Sequence, residues 1–124
     1  MKPQQTQSSD LAAIISLITK YFDGLHYGDT QLLASIFHQD AWLKAPNSRR
    51  KLNQWLVDVA DRPVPATQGN AYEYAILSIE VVQDQAMVKV HCPLFSFNYV
   101  DFLGLLKEDG NWLIVNKMYT NVTL

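Results

Sequence analysis

Apolar residues near the start of the chain recur at spacings of three and four, the period of a helix that buries one face. Ser9 or Asp10 can cap this helix, which is predicted to run to about His26 and to end at Gly28. Asp29 can cap a second helix. The first helix would bury one stripe, bordered by Tyr21, that consists of Leu11, Ile14, Ile15, Ile18, Phe22 and Leu25.

A short strand is predicted over residues 41–45, and Pro46 and Asn47 stop it. Ser48 can cap a third helix whose buried face would carry Leu52, Trp55, Leu56 and Val59. Residues 61–71 hold two prolines and a glycine, so they are expected to form a loop.

From Tyr72 onward the apolar period changes to two, which is typical of strands. Two strands would share one buried face through Ala75, Leu77, Ile79 and Val81 on the first and Ala86, Val88, Val90 and Cys92 on the second. Pro93 marks a bend. A third long strand is predicted from about Phe97 to Lys107, and residues 108–111 form a hairpin signal before a last strand over 112–120. Strict alternation in that last strand places Asn116 and Met118 inward and Lys117 outward.

Three helices followed by strands that are joined mostly by tight turns predict an α+β fold, with the helices on one side of a curved, mostly antiparallel sheet. The length of 124 residues fits one domain, expected over 9–124 after a frayed tail at 1–8. Apolar walls between helices and sheet predict an apolar pocket.

Charge and hydropathy exclude several classes of function. The net charge is −2, and the densest basic run is only Arg49–Lys51, which is a poor footprint for nucleic acid. No apolar run is long enough for a membrane span, and the N-terminus does not resemble a signal peptide. We therefore expect a cytoplasmic protein that binds neither nucleic acid nor membranes.

Metal, cofactor and thiol chemistry are not indicated. His26, His38 and His91 are scattered without the spacing of metal ligands, so neither a metal site nor a cofactor is expected. Cys92 is the only cysteine, so it cannot form an intramolecular disulfide. Because adjacent strand residues point to opposite faces, His91 is a poor base for it, and a buried small hydrophobe is the simpler interpretation.

Three segments resemble a known superfamily. Residues 21–29 (YFDGLHYGD) and 36–41 (IFHQDA) resemble the opening of the nuclear transport factor 2-like superfamily, which has a cystatin-like α+β roll. Residues 101–117 (DFLGLLKEDGNWLIVNK) are similar to its lumazine-binding branch. The resemblance implies a cone-shaped roll, a pocket between sheet and helices, and frequent dimers through the open sheet face.

Ketosteroid isomerase and SnoaL-like proteins belong to this superfamily, and the resemblance implies candidate site residues. Tyr21 aligns with the isomerase tyrosine and Asp101 with its protonated aspartate, which together donate hydrogen bonds to an oxyanion. The isomerase base would lie just before a proline at the end of the first strand. This chain has Ala45 before Pro46, and alanine cannot accept a proton.

Structural roles compete with each functional role. Tyr21 and Asp101 would either line the pocket or serve the core and the sheet. Trp42 and Trp55 would either stack on a ligand or pack as core, while Asn116 needs a polar partner on an apolar strand face. The predicted pocket consists of Tyr21, Trp42, Trp55, Cys92, Asp101, Leu103, Asn116 and Met118.

Three functions remain open from the sequence. The first is binding of a small apolar or aromatic molecule without established catalysis. The second is an isomerase, dehydratase or cyclase in which Tyr21 and Asp101 donate hydrogen bonds and a replacement base comes from His38 or Asp40. The third is a noncatalytic homodimer that joins through the sheet, with the outward Phe95, Phe97 and Met87 at its interface.

Overall fold

A computed structural model describes residues 3–123, with side chains from residue 9 onward. Three helices and six strands follow one another along the chain. Their bounds are α1 Pro3–Tyr27, α2 Thr30–Ile36, β1 Phe37–Ala45, β2 Ser48–Lys51, α3 Leu52–Asp61, β3 Ala75–Val82, β4 Gln85–Leu94, β5 Phe97–Glu108 and β6 Asn111–Asn121.

The six strands form one curved sheet in the order β2-β1-β6-β5-β4-β3. Only β1 and β6 run parallel among neighbouring strands, and the other pairs are antiparallel. The three helices pack on one face, which confirms the predicted α+β class with a mostly antiparallel sheet. No helix within residues 3–123 is both long and apolar enough to cross a membrane.

The segment around Ser48 differs from its prediction as a helix start. Asn47 adopts a positive φ of 64°, and the chain turns back so that Ser48 pairs with Ala45. Ser48–Lys51 is therefore strand β2, and α3 begins only at Leu52. Strand β1 is also longer than the predicted 41–45, because its pairing with β6 extends back to Phe37.

Helix α1 begins at Pro3, before the predicted caps at Ser9 or Asp10. Proline suits a first helical turn because it has no amide proton to leave unsatisfied. Asp10 lies inside the helix, where its Oδ1 accepts bonds from Lys107 Nζ at 2.9 Å and Trp112 Nε1 at 3.2 Å. The expected frayed tail falls on residues 1–8, of which residues 1 and 2 lie outside the described part of the chain.

The buried stripe of α1 is rotated relative to its prediction. Tyr21 is fully buried at its centre, whereas Leu11 and Ile15 are 40% and 42% exposed. The spacing of three and four fits either phase, and packing against the sheet selects the one that buries Leu17 and Tyr21.

The α1–α2 junction matches its prediction. Gly28 follows the end of α1 with a φ of 60°, and Asp29 caps α2 by accepting a bond from the Leu32 amide at 3.1 Å. Gly24 lies against α2 so closely that a Cβ there would be 2.6 Å from the Leu33 side chain.

Two irregular pairings change which strand residues face the core. The β3–β4 register shifts between Ile76 and Ser78, and Leu77 is 50% exposed although it was predicted to be buried. The β5–β6 register shifts between the pairs Gly104–Asn116 and Leu105–Ile114, so Val115 is an extra residue in β6. Beyond Val115 the alternation of β6 is inverted.

The segment from Arg62 to Tyr74, predicted as a loop over 61–71, is fastened to α1. The Ala66 amide donates to the His26 carbonyl at 3.0 Å. Tyr72 donates its hydroxyl proton to Asp23 at 2.7 Å, and the Tyr74 hydroxyl lies 2.8 Å from His26 Nδ1. The strand predicted from Tyr72 therefore begins only at Ala75.

Candidate functional site

A cavity of about 50 Å³ lies between the helices and the sheet, near the end of β4 and the start of β5. Buried side chains line its inner part, and the partly exposed Arg50, Arg62, Tyr99 and Tyr119 line its outer part. The inner lining consists of Leu25, Trp55, Cys92, Leu94, Asp101 and Lys117.

Asp101 is 2% exposed and is held by Tyr21. The Tyr21 hydroxyl donates to Asp101 Oδ2 at 2.7 Å. Burial raises the pKa of Tyr21 well above its usual value, and the nearby Asp101 charge adds to this, so the phenol remains a donor. The other carboxylate oxygen, Oδ1, is buried and has no hydrogen-bond partner among the described residues.

This arrangement differs from the one that the isomerase resemblance implied. There the tyrosine and the aspartate would both donate to a ligand oxygen. Here Tyr21 is fully buried and donates its hydrogen bond to Asp101. Tyr21 therefore orients the carboxylate, and Asp101 is the member of the pair that lines the cavity.

Lys117 is 7% exposed and lines the cavity although its predicted position was outward. The extra residue Val115 inverts the alternation of β6 and turns Lys117 inward. Its Nζ lies 4.5 Å from the centre of the Trp55 ring and 5.3 Å from that of Tyr21. Burial lowers the pKa of Lys117, against the opposing effect of the Asp101 carboxylate.

Arg62 follows the last residue of α3 and reaches the outer part of the cavity. Its guanidinium lies over the Phe95 ring at 5.4 Å from the centre, so Phe95, expected to face outward, is half-buried beneath a cation. The Nε and Nη2 atoms are buried without a partner among the residues that the structure describes. Burial is also the main cause that lowers the pKa of Arg62.

Arg50, in contrast, has a hydrogen-bond partner at both terminal nitrogens. Its Nη1 donates to Asp58 Oδ2 at 2.9 Å, and its Nη2 donates to the Tyr119 hydroxyl at 2.7 Å. The charge of Arg50 is therefore balanced by Asp58, which leaves Arg62 and Lys117 as the cations of the cavity without a paired carboxylate in the described chain.

Cys92 lies on the inner wall and is fully buried. Burial raises the pKa of Cys92 well above its ordinary value, and the Asp101 carboxylate adds to that effect. A thiol held in its protonated form is a weak nucleophile, so Cys92 shapes the wall of the cavity.

The predicted pocket residues fall into three groups. Trp55, Cys92 and Asp101 line the cavity, and Tyr21 is bonded to Asp101. Leu103 is fully buried in the core and does not border the cavity. The prediction that Trp42, Asn116 and Met118 face the pocket is corrected: they lie on the outer face of the sheet.

The outward position of these three residues has two physical causes. On β1 the buried residues Ala41 and Leu43 flank Trp42, so Trp42 points the other way and is 38% exposed. On β6 the extra residue Val115 exchanges the two faces, and Met118 is 44% exposed. Asn116 pairs with Trp42 and therefore shares its outer side.

The candidate bases named from the sequence do not reach the cavity. Ala45 ends β1 where the isomerase base would stand. His38 Nδ1 and a carboxylate oxygen of Asp40 lie 2.5 Å apart, and neither side chain lines the cavity. Lys117 is instead the titratable amine on the cavity wall.

The structure adds Arg50, Arg62, Lys117 and Tyr119 to the site. Of these four residues, only Lys117 gave a signal in the sequence, as a charged residue in a mostly apolar strand. Arg62 gave no signal, because it lies in an irregular segment whose path depends on its contacts with α1.

The two largest of the hollows described here, both wider than the cavity, are surface grooves. One of about 500 Å³ lies beside α1 and the β5–β6 turn, and Lys20 is its only charged residue in the described chain. The other, of about 550 Å³, lies beside Trp42, Lys51 and Asp40. Among residues 9–123, no buried polar atom without a partner lines either groove, so the smaller cavity is the better candidate site.

Helices packed on one face of a curved six-stranded sheet, with a cavity between them, define a nuclear transport factor 2-like domain. A family model described as "Putative lumazine-binding" matches residues 9–120. The chain belongs to this family. No protein of curated function matches the sequence.

Solved structures agree with this assignment. An NTF-2-like protein of unknown function from Silicibacter pomeroyi DSS-3 has 25% identity and a TM-score of 0.78, with 94% of this chain and 98% of that chain covered. An NTF2-like protein of unknown function from Shewanella baltica OS155 has 22% identity and a TM-score of 0.81, with 94% and 97% covered. A third, from Methylobacillus flagellatus KT, has 24% identity, a TM-score of 0.75, and coverage of 93% and 94%. Those below 25% identity support the fold alone.

Proposed function

We propose that this domain binds a small molecule in the cavity beside Asp101, without requiring catalysis. The observation that carries the proposal is the buried Oδ1 of Asp101, which lacks a partner among the described residues at the wall of that cavity. An unsatisfied buried acceptor is costly to the fold, on the order of 1–3 kcal/mol, and a ligand that donates a hydrogen bond would offset that cost.

The size of the cavity limits how a ligand would enter. A volume of about 50 Å³ holds a few water molecules, whereas sites for drug-sized ligands measure roughly 300–1,000 Å³. We propose that the polar end of a ligand enters the present cavity and that the partly exposed Arg62 and Tyr99 move to admit the rest. The family description makes lumazine, a flat polar heterocycle, the first organic ligand to test.

Native mass spectrometry and thermal shift with lumazine and small aromatic metabolites would test the proposal. A Cys92→Leu variant adds bulk inside the cavity and should abolish binding. Met87→Leu, on the outer side of the same strand, is the matched control and should bind as the original chain does. Equal binding by the Cys92→Leu variant would place the ligand elsewhere and contradict the proposal.

A second candidate function is proton transfer of the isomerase, dehydratase or cyclase kind. The position of Lys117 favours it, because an amine whose pKa is lowered by burial is a suitable general base on the cavity wall. The role proposed for His38 or Asp40 passes to Lys117. Deuterium uptake beside the carbonyl of a bound ketone, followed by NMR, would test it, and uptake that persists in Lys117→Met would count against it.

We also retain the proposal of a homodimer through the outer face of the sheet. Exposed apolar side chains on that face support it: Trp42, Met87, Phe102, Leu106 and Met118. We call these five residues the outer apolar patch.

A further inference from the structure

The charges around the cavity do not balance. Arg50 is paired with Asp58, so Arg62 and Lys117 supply two cations against the single carboxylate of Asp101. One positive charge is therefore left over in a largely buried site. Because desolvated charges are costly unless they are paired, a ligand with one negative charge would complete the site.

The two unpartnered atoms of Arg62 indicate the shape of that anion. Nε and Nη2 form one edge of the guanidinium, and two parallel N–H groups on this edge match the two oxygens of a carboxylate. Both atoms are covered in the structure, so Arg62 must rotate toward the cavity to meet an anion. Its long side chain permits this movement.

Lys117 provides an independent indication. Only 7% of the Lys117 surface is exposed. The residue borders the cavity and forms no ion pair among residues 9–123. Aromatic rings surround its amine: Trp55, Tyr21 and Tyr119. Burial lowers the pKa of Lys117 and of Arg62, and for Lys117 the Asp101 carboxylate offsets only part of that effect.

We infer that the cavity binds a small organic monoanion whose carboxylate lies between Arg62 and Lys117. This inference rests on the proposed small-molecule site and names the charge and head group of its ligand. Asp101 Oδ1 would then favour acids that also carry a hydrogen-bond donor, such as a hydroxyl group, close to the carboxylate. The volume of about 50 Å³ is suited to a head group of this size.

Matched pairs of acid and amide test the charge requirement. Acetate with acetamide, and benzoate with benzamide, are nearly equal in shape and differ in charge. Chemical-shift titrations of the isotope-labelled chain at constant ionic strength and near-neutral pH would give their affinities. We expect the acids to bind at least about tenfold more tightly than their amides, since charge-assisted hydrogen bonds are the stronger kind.

Variants locate the effect. Arg62→Gln and Lys117→Met should each weaken benzoate binding about tenfold or more, because each removes one partner of the carboxylate. Arg49→Gln removes the same charge from an exposed position and should leave the affinity unchanged. A loss of affinity in Arg49→Gln equal to that in Arg62→Gln would mean nonspecific attraction and would overturn the inference.

The outcomes separate this inference from the broader proposal. If the amides bind as tightly as the acids, and Cys92→Leu abolishes both, then the small-molecule site stands and the requirement for an anion is wrong. Acid binding that survives in Arg62→Gln and Lys117→Met also overturns the inference. If neither acid binds at its solubility limit, the inference fails, while lumazine and the neutral metabolites still test the site itself.

Discussion

The hydroxyl of Tyr21 fixes the position of the one carboxylate in the cavity. It is the hydrogen-bond partner of a side chain that is only 2% exposed, and the opposite oxygen of Asp101 has no partner within the described chain. Loss of this bond would leave the whole carboxylate unsatisfied in a buried site.

Tyr21→Phe should therefore lower the free energy of unfolding by about 1–3 kcal/mol, since a buried acceptor loses its donor. Urea denaturation measures the change. Tyr27→Phe is the matched control on the same helix: Tyr27 is 59% exposed, and its substitution should stay within about 0.5 kcal/mol. Equal stability of the two variants would show that the Tyr21–Asp101 bond contributes nothing.

Lys117 is expected to decrease stability while serving the site. Burial lowers its pKa despite the attraction of Asp101, so the charged form is less favourable in the fold than in water. Lys117→Met, which keeps most of the side-chain length and removes the charge, should be neutral or stabilising by up to about 4 kcal/mol near pH 7. Lys89→Met, on the outer side of β4, is the control and should change little. Marked destabilisation by Lys117→Met alone would mean that Asp101 depends on the lysine charge.

The same lysine should make stability depend on pH. Between its lowered folded-state pKa and the ordinary value of 10.5, the unfolded chain binds more protons at Lys117 than the folded chain. The free energy of unfolding of the original chain therefore rises with pH in that window relative to Lys117→Met. Denaturation of both chains from pH 7 to 9.5 measures this difference in the free energy of unfolding. The other groups that face Lys117 are Asp101, Cys92, Arg62 and Arg50, and they are present in both chains, so the comparison controls for them. A constant difference would contradict the lowered pKa.

At the scale of elements, the contact between α1 and α2 depends on a missing side chain. A Cβ on Gly24 would lie 2.6 Å from the Leu33 side chain, closer than carbon atoms pack. Alanine improves helix propensity by about 1 kcal/mol, but forcing atoms into a packed core typically costs about 1–3 kcal/mol. The steric cost is expected to win.

Gly24→Ala should thus lower the thermal midpoint, as followed by circular dichroism. The matched test is the same substitution in a Leu33→Ala background, where the shorter side chain makes room for the new methyl group. In that background Gly24→Ala should become neutral or stabilising. An equal loss in both backgrounds would show that Leu33 is not the obstacle.

The strands show why part of the fold could be predicted and part of the site could not. In β4 the alternation is unbroken, so Cys92 was correctly expected to face inward. In β6 one extra residue, Val115, exchanges the faces, and Lys117 takes the place expected for Asn116. One extra residue hardly changes how many apolar residues a strand contains, so the apolar pattern does not reveal where a bulge lies. Its position depends on pairing with β5 and β1, which period-two analysis does not include.

At the scale of the whole molecule, the sheet has two unlike faces. Helices cover the inner face and enclose the cavity, while the outer apolar patch crosses β1, β6, β5 and β4. Phe102 pairs directly with Met118. Met87 pairs with Gly104, which is two residues from Phe102 on the same side of β5. Phe97 is exposed as well, but its ring lies 5.3 Å from that of the cavity-lining Tyr99, so it lies on the inner side of β5 and the prediction that it faces outward is wrong. Contiguous exposed apolar side chains of this kind are typical of protein interfaces.

A dimer that buries the outer apolar patch makes one further prediction. Light scattering after size-exclusion chromatography should give twice the chain mass at micromolar concentration, and Phe102→Lys should give the monomer, because a charge would be buried at the centre of the patch. Val57→Lys places the same charge on an apolar residue of α3 that is 59% exposed and outside the patch, so it should leave the dimer intact. A monomeric original chain would remove the proposal. If Val57→Lys instead dissociates a dimer that Phe102→Lys leaves intact, the interface lies on the helical side.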